Sequence, residues 1–113
     1  MAVVDGENIL AQLMSVIESR KAAAPEGSYT ASLLAGGVEK IGRKITEEAA
    51  EVVEAASEDG APGRTHLIRE AADLVYHLFV LLAQREISLG EVEAELVRRF
   101  GISGHDEKAS RKG

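Results

Sequence analysis

The sequence HLIREAADLVYHLFVLL, residues 66–82, decides the fold. Its apolar positions recur at helical spacing, and from Leu74 onward they cover almost every side of the predicted helix. A helix of that composition is buried on most of its sides. Glu70, Asp73 and His77 nevertheless share one strip of it, about 60° wide. Because buried carboxylates must be paired, protonated or bound to a metal, this strip is the first candidate site.

The preceding helix, predicted over residues 38–57, carries charges on one face and an apolar stripe on the other. The charged face holds Lys40, Lys44, Glu47, Glu48, Glu51 and Glu54. The apolar stripe includes Ile41, Ile45 and Val52. Taken alone, such a charged face is typical of a solvated surface with lysine–glutamate pairs at four-residue spacing.

The two helices contain two pairs of acids, Glu48-x-x-Glu51 and Glu70-x-x-Asp73. The i, i+3 spacing places both members of a pair on the same face. The segment EDGAPG, residues 58–63, predicts a loop that lets the helices run antiparallel, so that the four carboxylates converge. At ~5 Å and an effective dielectric constant of ~20, each like-charged pair costs about 3 kcal/mol. Several such pairs are too unfavourable for a small domain unless something neutralises them.

A hard divalent cation would neutralise these acids. Ligands that are all oxygen favour Mg²⁺, Mn²⁺ or Ca²⁺ over zinc. Mg²⁺ keeps positions for water and phosphate oxygens, which indicates water attack at phosphorus, with the ion polarising the phosphoryl group and activating the water. Lys40 and Lys44, on the same face, are placed to contact phosphates. The alternative is a structural network in which Lys40, Lys44 and Arg69 neutralise the acids without a metal.

Composition restricts the classes of function. The chain has 113 residues, a net charge of −6 and 4% aromatic residues, which argues against a nucleic-acid partner. It has no cysteine, which excludes disulfides, thiolate metal sites and cysteine nucleophiles. The longest strongly apolar run, residues 78–83, is far shorter than the ~20 residues of a membrane span, and the first ten residues lack a signal-peptide pattern. We therefore expect a cytoplasmic domain without a membrane partner.

The periodicity predicts an all-α fold with no candidate strand. The expected helices cover residues 5–21, 29–57, 65–85 and 88–100. The adjacent Gly36 and Gly37 predict a kink or a break in the second helix. The expected N-terminal caps are Asp5, Thr65 and Ser88, the last in a capping box with Glu91. Residues 1–100 are expected to form one domain, and residues 101–113 a polar, disordered tail.

The ExxE…ExxD pattern on two antiparallel helices resembles the signature of the all-α nucleoside triphosphate pyrophosphohydrolases, the MazG-like superfamily. Within it, three stretches resemble the phosphoribosyl-ATP pyrophosphohydrolase family. They are SYTASLL at residues 28–34, KITEEAAEVV at residues 44–53 and EAADLVYHLFVLL at residues 70–82. The resemblance covers about residues 7–100, which is nearly the whole expected domain.

This resemblance implies a four-helix bundle that forms an intertwined homodimer. It implies hydrolysis of phosphoribosyl-ATP to phosphoribosyl-AMP and pyrophosphate, the second step of histidine biosynthesis, with Mg²⁺ as cofactor and Mn²⁺ as a substitute. The metal-binding acids of the family correspond to Glu48, Glu51, Glu70 and Asp73. These acids, together with Glu47 as a further ligand or water-orienting base, are the expected catalytic residues.

The resemblance also implies substrate-binding residues, which are Lys40, Lys44, Tyr29 and Thr30. His77 matches the Tyr-His pair of the family, and a catalytic role and a buried or interface role both remain open for it. The extra phosphate of this substrate needs a basic residue, for which the candidates are Arg43, Arg69, Arg98 and Arg99.

Two departures from the family pattern are visible, Thr46 where glycine is common and Glu54 where an aliphatic residue is common. Neither position is an expected ligand. The chain lacks the length and the cysteines of a fused cyclohydrolase domain, so a monofunctional enzyme is expected. Two alternatives remain, a MazG-like house-cleaning hydrolase of (d)NTPs and a non-enzymatic helical dimerisation module.

Overall fold

The computed structural model describes residues 8–101, which form four α-helices. The helices are α1 (Ile9–Ala22), α2 (Tyr29–Ala56), α3 (Gly60–Gln84) and α4 (Leu89–Phe100). The described part of the chain contains no strand, so the all-α prediction with four helices is confirmed. None of these helices is both long and apolar enough to cross a bilayer.

Helix α2 is interrupted at Gly37, whose backbone is not helical (φ 74°, ψ −173°). This positive φ favours glycine over residues with a Cβ, and it confirms the predicted break. Ser28 caps the start of the helix by accepting a hydrogen bond from the N–H of Ala31 at 3.1 Å. The break therefore separates a short first part, which begins at Tyr29, from the long second part that carries the acids.

Helices α2 and α3 form an antiparallel hairpin with a turn much tighter than predicted. Helix α3 begins at Gly60, with Asp59 as its N-cap, so the loop predicted over residues 58–63 and the cap predicted at Thr65 are both wrong. Pro62 lies within the first turn, where its missing N–H would have no acceptor inside the helix. Gly63 packs so closely that a Cβ there would lie 2.6 Å from the carbonyl oxygen of Glu58. The absence of a Cβ at Gly63 therefore allows the tight turn between the two helices.

The core lies where α1 crosses the hairpin. Its buried apolar residues are Met14, Ile17, Leu33, Ile41, Phe79, Val80 and Ala83. Helix α1 begins at Ile9, after Asn8 in the left-handed conformation (φ 59°), rather than at residue 5. The predicted cap Asp5 lies outside the described residues.

Helix α4 has the predicted capping box, in which the Ser88 side chain accepts from the Glu91 N–H and the Glu91 carboxylate accepts from the Ser88 N–H. Gly101 ends the helix with a left-handed backbone. Apart from Gly101, the predicted tail lies outside the described residues. Leu89 packs against the core, but no residue of α4 is buried, and Phe100 is 54% exposed.

Helix α3 is covered on one side only. Val80 is fully buried, whereas Leu78 is 43% exposed and Ile68 is 59% exposed. The expected burial of this helix on most sides is therefore not achieved by the contacts within one chain.

Candidate metal centre

Three predicted acids meet between α2 and α3. One carboxylate oxygen from each of Glu48, Glu51 and Glu70 lies within 4.8 Å of the others, and we call these three residues the acidic group. The i, i+3 spacing brings the two α2 acids together, and the tight hairpin brings α3 to them. Glu48 is buried, Glu70 is half-buried and Glu51 is exposed, so the group extends from the protein interior to its surface.

Glu48 has the least favourable environment for a charge in this group. The pKa of its carboxyl is raised from 4.5 to about 7, chiefly by burial and further by the hydrogen bonds it shares with Glu51 and Glu70 and by the charge of Asp73. Within residues 8–101, no lysine or arginine forms an ion pair with any member of the acidic group. The structural network of Lys40, Lys44 and Arg69 that the sequence left open is therefore not formed.

Glu70 has one oxygen atom without a partner. Its Oε1 is buried and has no hydrogen-bond partner among the described residues. Its Oε2 lies 3.3 Å from Nε2 of His66, and Nδ1 of the same ring lies 3.0 Å from Oε1 of Glu58. The hydrogen bond with Glu58 raises the pKa of His66. Sequence reasoning gave no role to His66, although its position four residues before Glu70 was a signal for this contact.

Asp73, the fourth predicted ligand, is exposed and does not join the acidic group. It is close enough for its charge to raise the pKa of Glu48. It lies one turn beyond Glu70 on the same helix, so the structure places it beside the group but not within it.

The predicted phosphate-binding lysines lie on α2 before the acids. Nζ of Lys44 lies 3.4 Å from Oε1 of Glu47, and this hydrogen bond is the main cause that raises the lysine pKa. Nζ of Lys40 lies 3.4 Å from the carbonyl oxygen of Ser32, across the break at Gly37. Within the described residues, neither lysine forms an ion pair with the acidic group, although the charge of Glu48 helps to raise the pKa of Lys44.

The candidate arginines differ in their partners. Arg43 pairs with Glu39, and Arg98 and Arg99 both pair with Glu95. No ion pair with Arg69 is formed within residues 8–101.

Tyr29, Thr30, Tyr76 and His77 form a polar and aromatic cluster beside the acidic group. The hydroxyl of Tyr29 lies 3.1 Å from Nε2 of His77, and the hydroxyls of Thr30 and Tyr76 hydrogen-bond to each other. The rings of Tyr76 and His77 are in edge contact, with centroids 5.0 Å apart. This cluster joins the start of α2 to the middle of α3.

The donor set of the acidic group fits a hard divalent cation. All its ligand atoms are carboxylate oxygens, which Mg²⁺ and Mn²⁺ prefer. Oε1 of Glu70 has no partner, and the pKa of Glu48 is raised. Both features are expected where carboxylates converge without a cation between them. A site of this kind, open on the Glu51 side, is suited to bind phosphate oxygens through a metal.

Comparisons with known proteins agree with this chemistry. The family "Phosphoribosyl-ATP pyrophosphohydrolase" matches residues 10–100. A phosphoribosyl-ATP pyrophosphatase of Rhodopirellula baltica is 58% identical over 102 residues, which cover 90% of this chain and 85% of that protein. The protein of the same name from Trichlorobacter lovleyi is 56% identical over 106 residues, 94% of this chain and 95% of that protein. That of Nitrosospira multiformis is 52% identical over 105 residues, covering 93% and 84% of the two chains.

The raised pKa of Glu48 predicts how stability depends on pH when no metal is bound. Since the folded state holds a proton that the unfolded state releases above pH 4.5, the free energy of unfolding should fall as pH rises from 4.5 to about 7. Glu48→Gln keeps the shape without the charge, so it should stabilise the chelator-treated protein by roughly 3 kcal/mol near pH 8 and have little effect near pH 4. Urea unfolding at the two pH values measures this difference.

The control is Glu39→Gln on the same helix, whose carboxylate is exposed and paired with Arg43. It should leave the pH dependence of the wild type unchanged. Parallel stability curves for Glu48→Gln and the wild type would show that the carboxyl of Glu48 titrates normally.

Proposed function

Because the chain belongs to the phosphoribosyl-ATP pyrophosphohydrolase family, we propose that it hydrolyses phosphoribosyl-ATP. Water supplies the attacking oxygen, a phosphoric anhydride bond breaks, and the products are phosphoribosyl-AMP and pyrophosphate. This reaction is the second step of histidine biosynthesis. The observation that carries the proposal is the family match over residues 10–100, nearly all of the described chain.

We propose that the acidic group binds Mg²⁺, for which Mn²⁺ can substitute. Glu48, Glu51 and Glu70 are the proposed ligands, and their convergence within 4.8 Å supports this role. The buried, unpartnered Oε1 of Glu70 is a further argument, because a buried oxygen gains most from a cation. Asp73 stays a proposed fourth ligand, supported by its effect on the pKa of Glu48.

When bound, the cation would neutralise phosphate charge and lower the pKa of a water molecule. The chain itself supplies positioning and charge. Lys44 is proposed to bind a phosphate oxygen, and to do so it would give up its ion pair with the exposed Glu47. Lys40, one turn earlier on α2, is proposed to bind phosphate as well. Glu47, once released from that pair, is the proposed group that orients the attacking water. Tyr29 and Thr30, at the start of α2, are proposed substrate contacts.

The substrate proposal is tested by pyrophosphate release. The purified protein should release pyrophosphate from phosphoribosyl-ATP with a kcat/KM well above that for any member of a panel of dNTPs, because the resemblance extends far beyond the four acids. A preference for dNTPs would favour a house-cleaning hydrolase. No turnover of any nucleotide would favour the non-enzymatic dimerisation module.

The metal proposal predicts stabilisation by Mg²⁺ and Mn²⁺. A ligand that binds only the folded state raises the free energy of unfolding, by about 2.7 kcal/mol when its concentration is a hundred times Kd, and therefore raises the unfolding temperature. Glu70→Ala should abolish both this rise and pyrophosphate release. Thermal unfolding with and without the metal is the measurement.

Glu39→Ala is the matched control, because it removes the same charge from an exposed position on α2. It should keep both the metal-dependent rise and the activity. Equal metal-dependent stabilisation of Glu70→Ala and the wild type would rule out Glu70 as a ligand.

We also propose that two chains form a homodimer. Support comes from apolar side chains that the single chain leaves uncovered. On α4 these include Leu96, 43% exposed, and on α2 Val53, 72% exposed. A second copy could cover them, because a stable interface typically buries about 800 Å² on each partner, an area large enough to include several such side chains. A cytoplasmic location stays a prediction of the sequence.

The dimer proposal predicts a mass of twice the chain in light scattering. Leu96→Asp should shift the equilibrium toward monomer, because it places a charge in the apolar contact. Arg98→Asp changes the charge of α4 more, at a polar position paired with Glu95, and should leave the dimer intact. A monomeric wild type at micromolar concentration would contradict the proposal.

A further inference from the structure

His77 is a buried group to which the proposed reaction gives no role. Its side chain is 6% exposed. Among residues 8–101, Glu48 and His77 are the two buried side chains that are polar or charged. They contact each other, with Nδ1 of His77 lying 3.4 Å from Oε1 of Glu48. This contact joins the buried end of the acidic group to the aromatic cluster.

The hydrogen bonds define which nitrogen of the neutral ring carries the proton. Nδ1 lies 2.9 Å from the carbonyl oxygen of Asp73, which can only accept, so Nδ1 is the donor. Nε2 of the neutral ring then has a lone pair, which accepts from the hydroxyl of Tyr29 at 3.1 Å. The ring is thus held at both ends. Its single N–H donates to the carbonyl of Asp73, and Nδ1 also lies 3.4 Å from Oε1 of Glu48.

An ionised Glu48 needs this donor. Its contacts with Glu51 and Glu70 are between carboxyl groups, and such a contact is a hydrogen bond only while one of the two is protonated. Once all three are ionised, as ligands of a cation are, the N–H that His77 donates to Asp73 can also be shared with Glu48, as the longer arm of a three-centre hydrogen bond across the 3.4 Å from Nδ1 to Oε1. Without it, a buried carboxylate oxygen would lose its protein partner.

We infer that His77 is a positioning residue that fixes the Glu48 carboxylate for metal binding, and that the Tyr29 hydroxyl fixes the tautomer and orientation of His77. The inference rests on the proposed function, because Glu48 is a ligand only if the acidic group binds a cation. Partners that orient ligands in this way typically contribute 10–100-fold to metal affinity. In this role His77 acts through Glu48 and is not itself a proposed ligand.

The test is a Mn²⁺ titration of the full chain, in which the electron paramagnetic resonance signal of free Mn²⁺ gives the Kd. His77→Leu removes the donor and should weaken binding about tenfold or more. His77→Asn keeps an N–H near the position of Nδ1 and should bind more tightly than His77→Leu. If His77 only fills space, His77→Leu and His77→Asn should both unfold at a lower temperature than the wild type but bind Mn²⁺ with the same Kd. That result would overturn the positioning role.

A second pair of variants avoids changing a buried residue. Tyr29→Phe removes the hydroxyl that bonds to Nε2, and Tyr29 is 50% exposed, so folding should be retained. This variant should weaken Mn²⁺ binding measurably. Tyr76→Phe removes a hydroxyl from the same cluster that bonds to Thr30 instead of His77, and should leave the Kd unchanged. If His77→Leu fails to fold, this pair decides the question.

Two negative results have different meanings. If the wild type binds no Mn²⁺, or if Glu48→Ala binds it normally, the proposed metal centre is wrong and the role of His77 falls with it. If the wild type binds Mn²⁺ and Glu48→Ala does not, but His77→Leu and Tyr29→Phe bind as the wild type does, the metal centre stands and the positioning role is overturned.

Discussion

The burial of the Glu48 carboxylate beside two other acids is the constraint on which the rest of the structure depends. Charged groups in apolar surroundings are unfavourable, and neighbouring like charges add to the cost. Within residues 8–101, no lysine or arginine forms an ion pair with these acids to relieve this cost. The core formed by α1 and the hairpin must therefore offset this cost in the metal-free protein. Such local instability is common where a protein has a binding site to maintain.

Two glycines make that arrangement geometrically possible. Gly63 allows the first turn of α3 to lie against the backbone of Glu58, in the tight turn between the two helices that carry the acids. Gly37 interrupts α2, so that the segment starting at Tyr29 can turn toward His77. Both positions use the absence of a Cβ, one for close contact and the other for a positive φ.

The sequence predicted the helices and the convergence of acids because both follow from spacing. Helical periodicity identified four helices, and the i, i+3 pairs placed Glu48, Glu51 and Glu70 together. On a helical wheel, Glu48 lies at the border of the charged face, about 20° from the apolar stripe. That position indicates a buried side chain, although the charged face as a whole is typical of a solvated surface. The tight turn escaped prediction because Gly-Ala-Pro-Gly is typical of loops, whereas Pro is equally acceptable in a first helical turn. The displacement of Asp73 from the group depends on the angle between the helices, which the pattern of one helix does not contain.

The hairpin also determines when the site can form. Its acids come from two consecutive helices, with eighteen residues between Glu51 and Glu70, so bringing them together requires no distant part of the chain. Contacts that are local along the chain form early in folding, because little loop entropy is lost in closing them. The repulsion between these carboxylates therefore acts from the first stages of folding, and a cation present at that time would favour the hairpin before the core has closed over it.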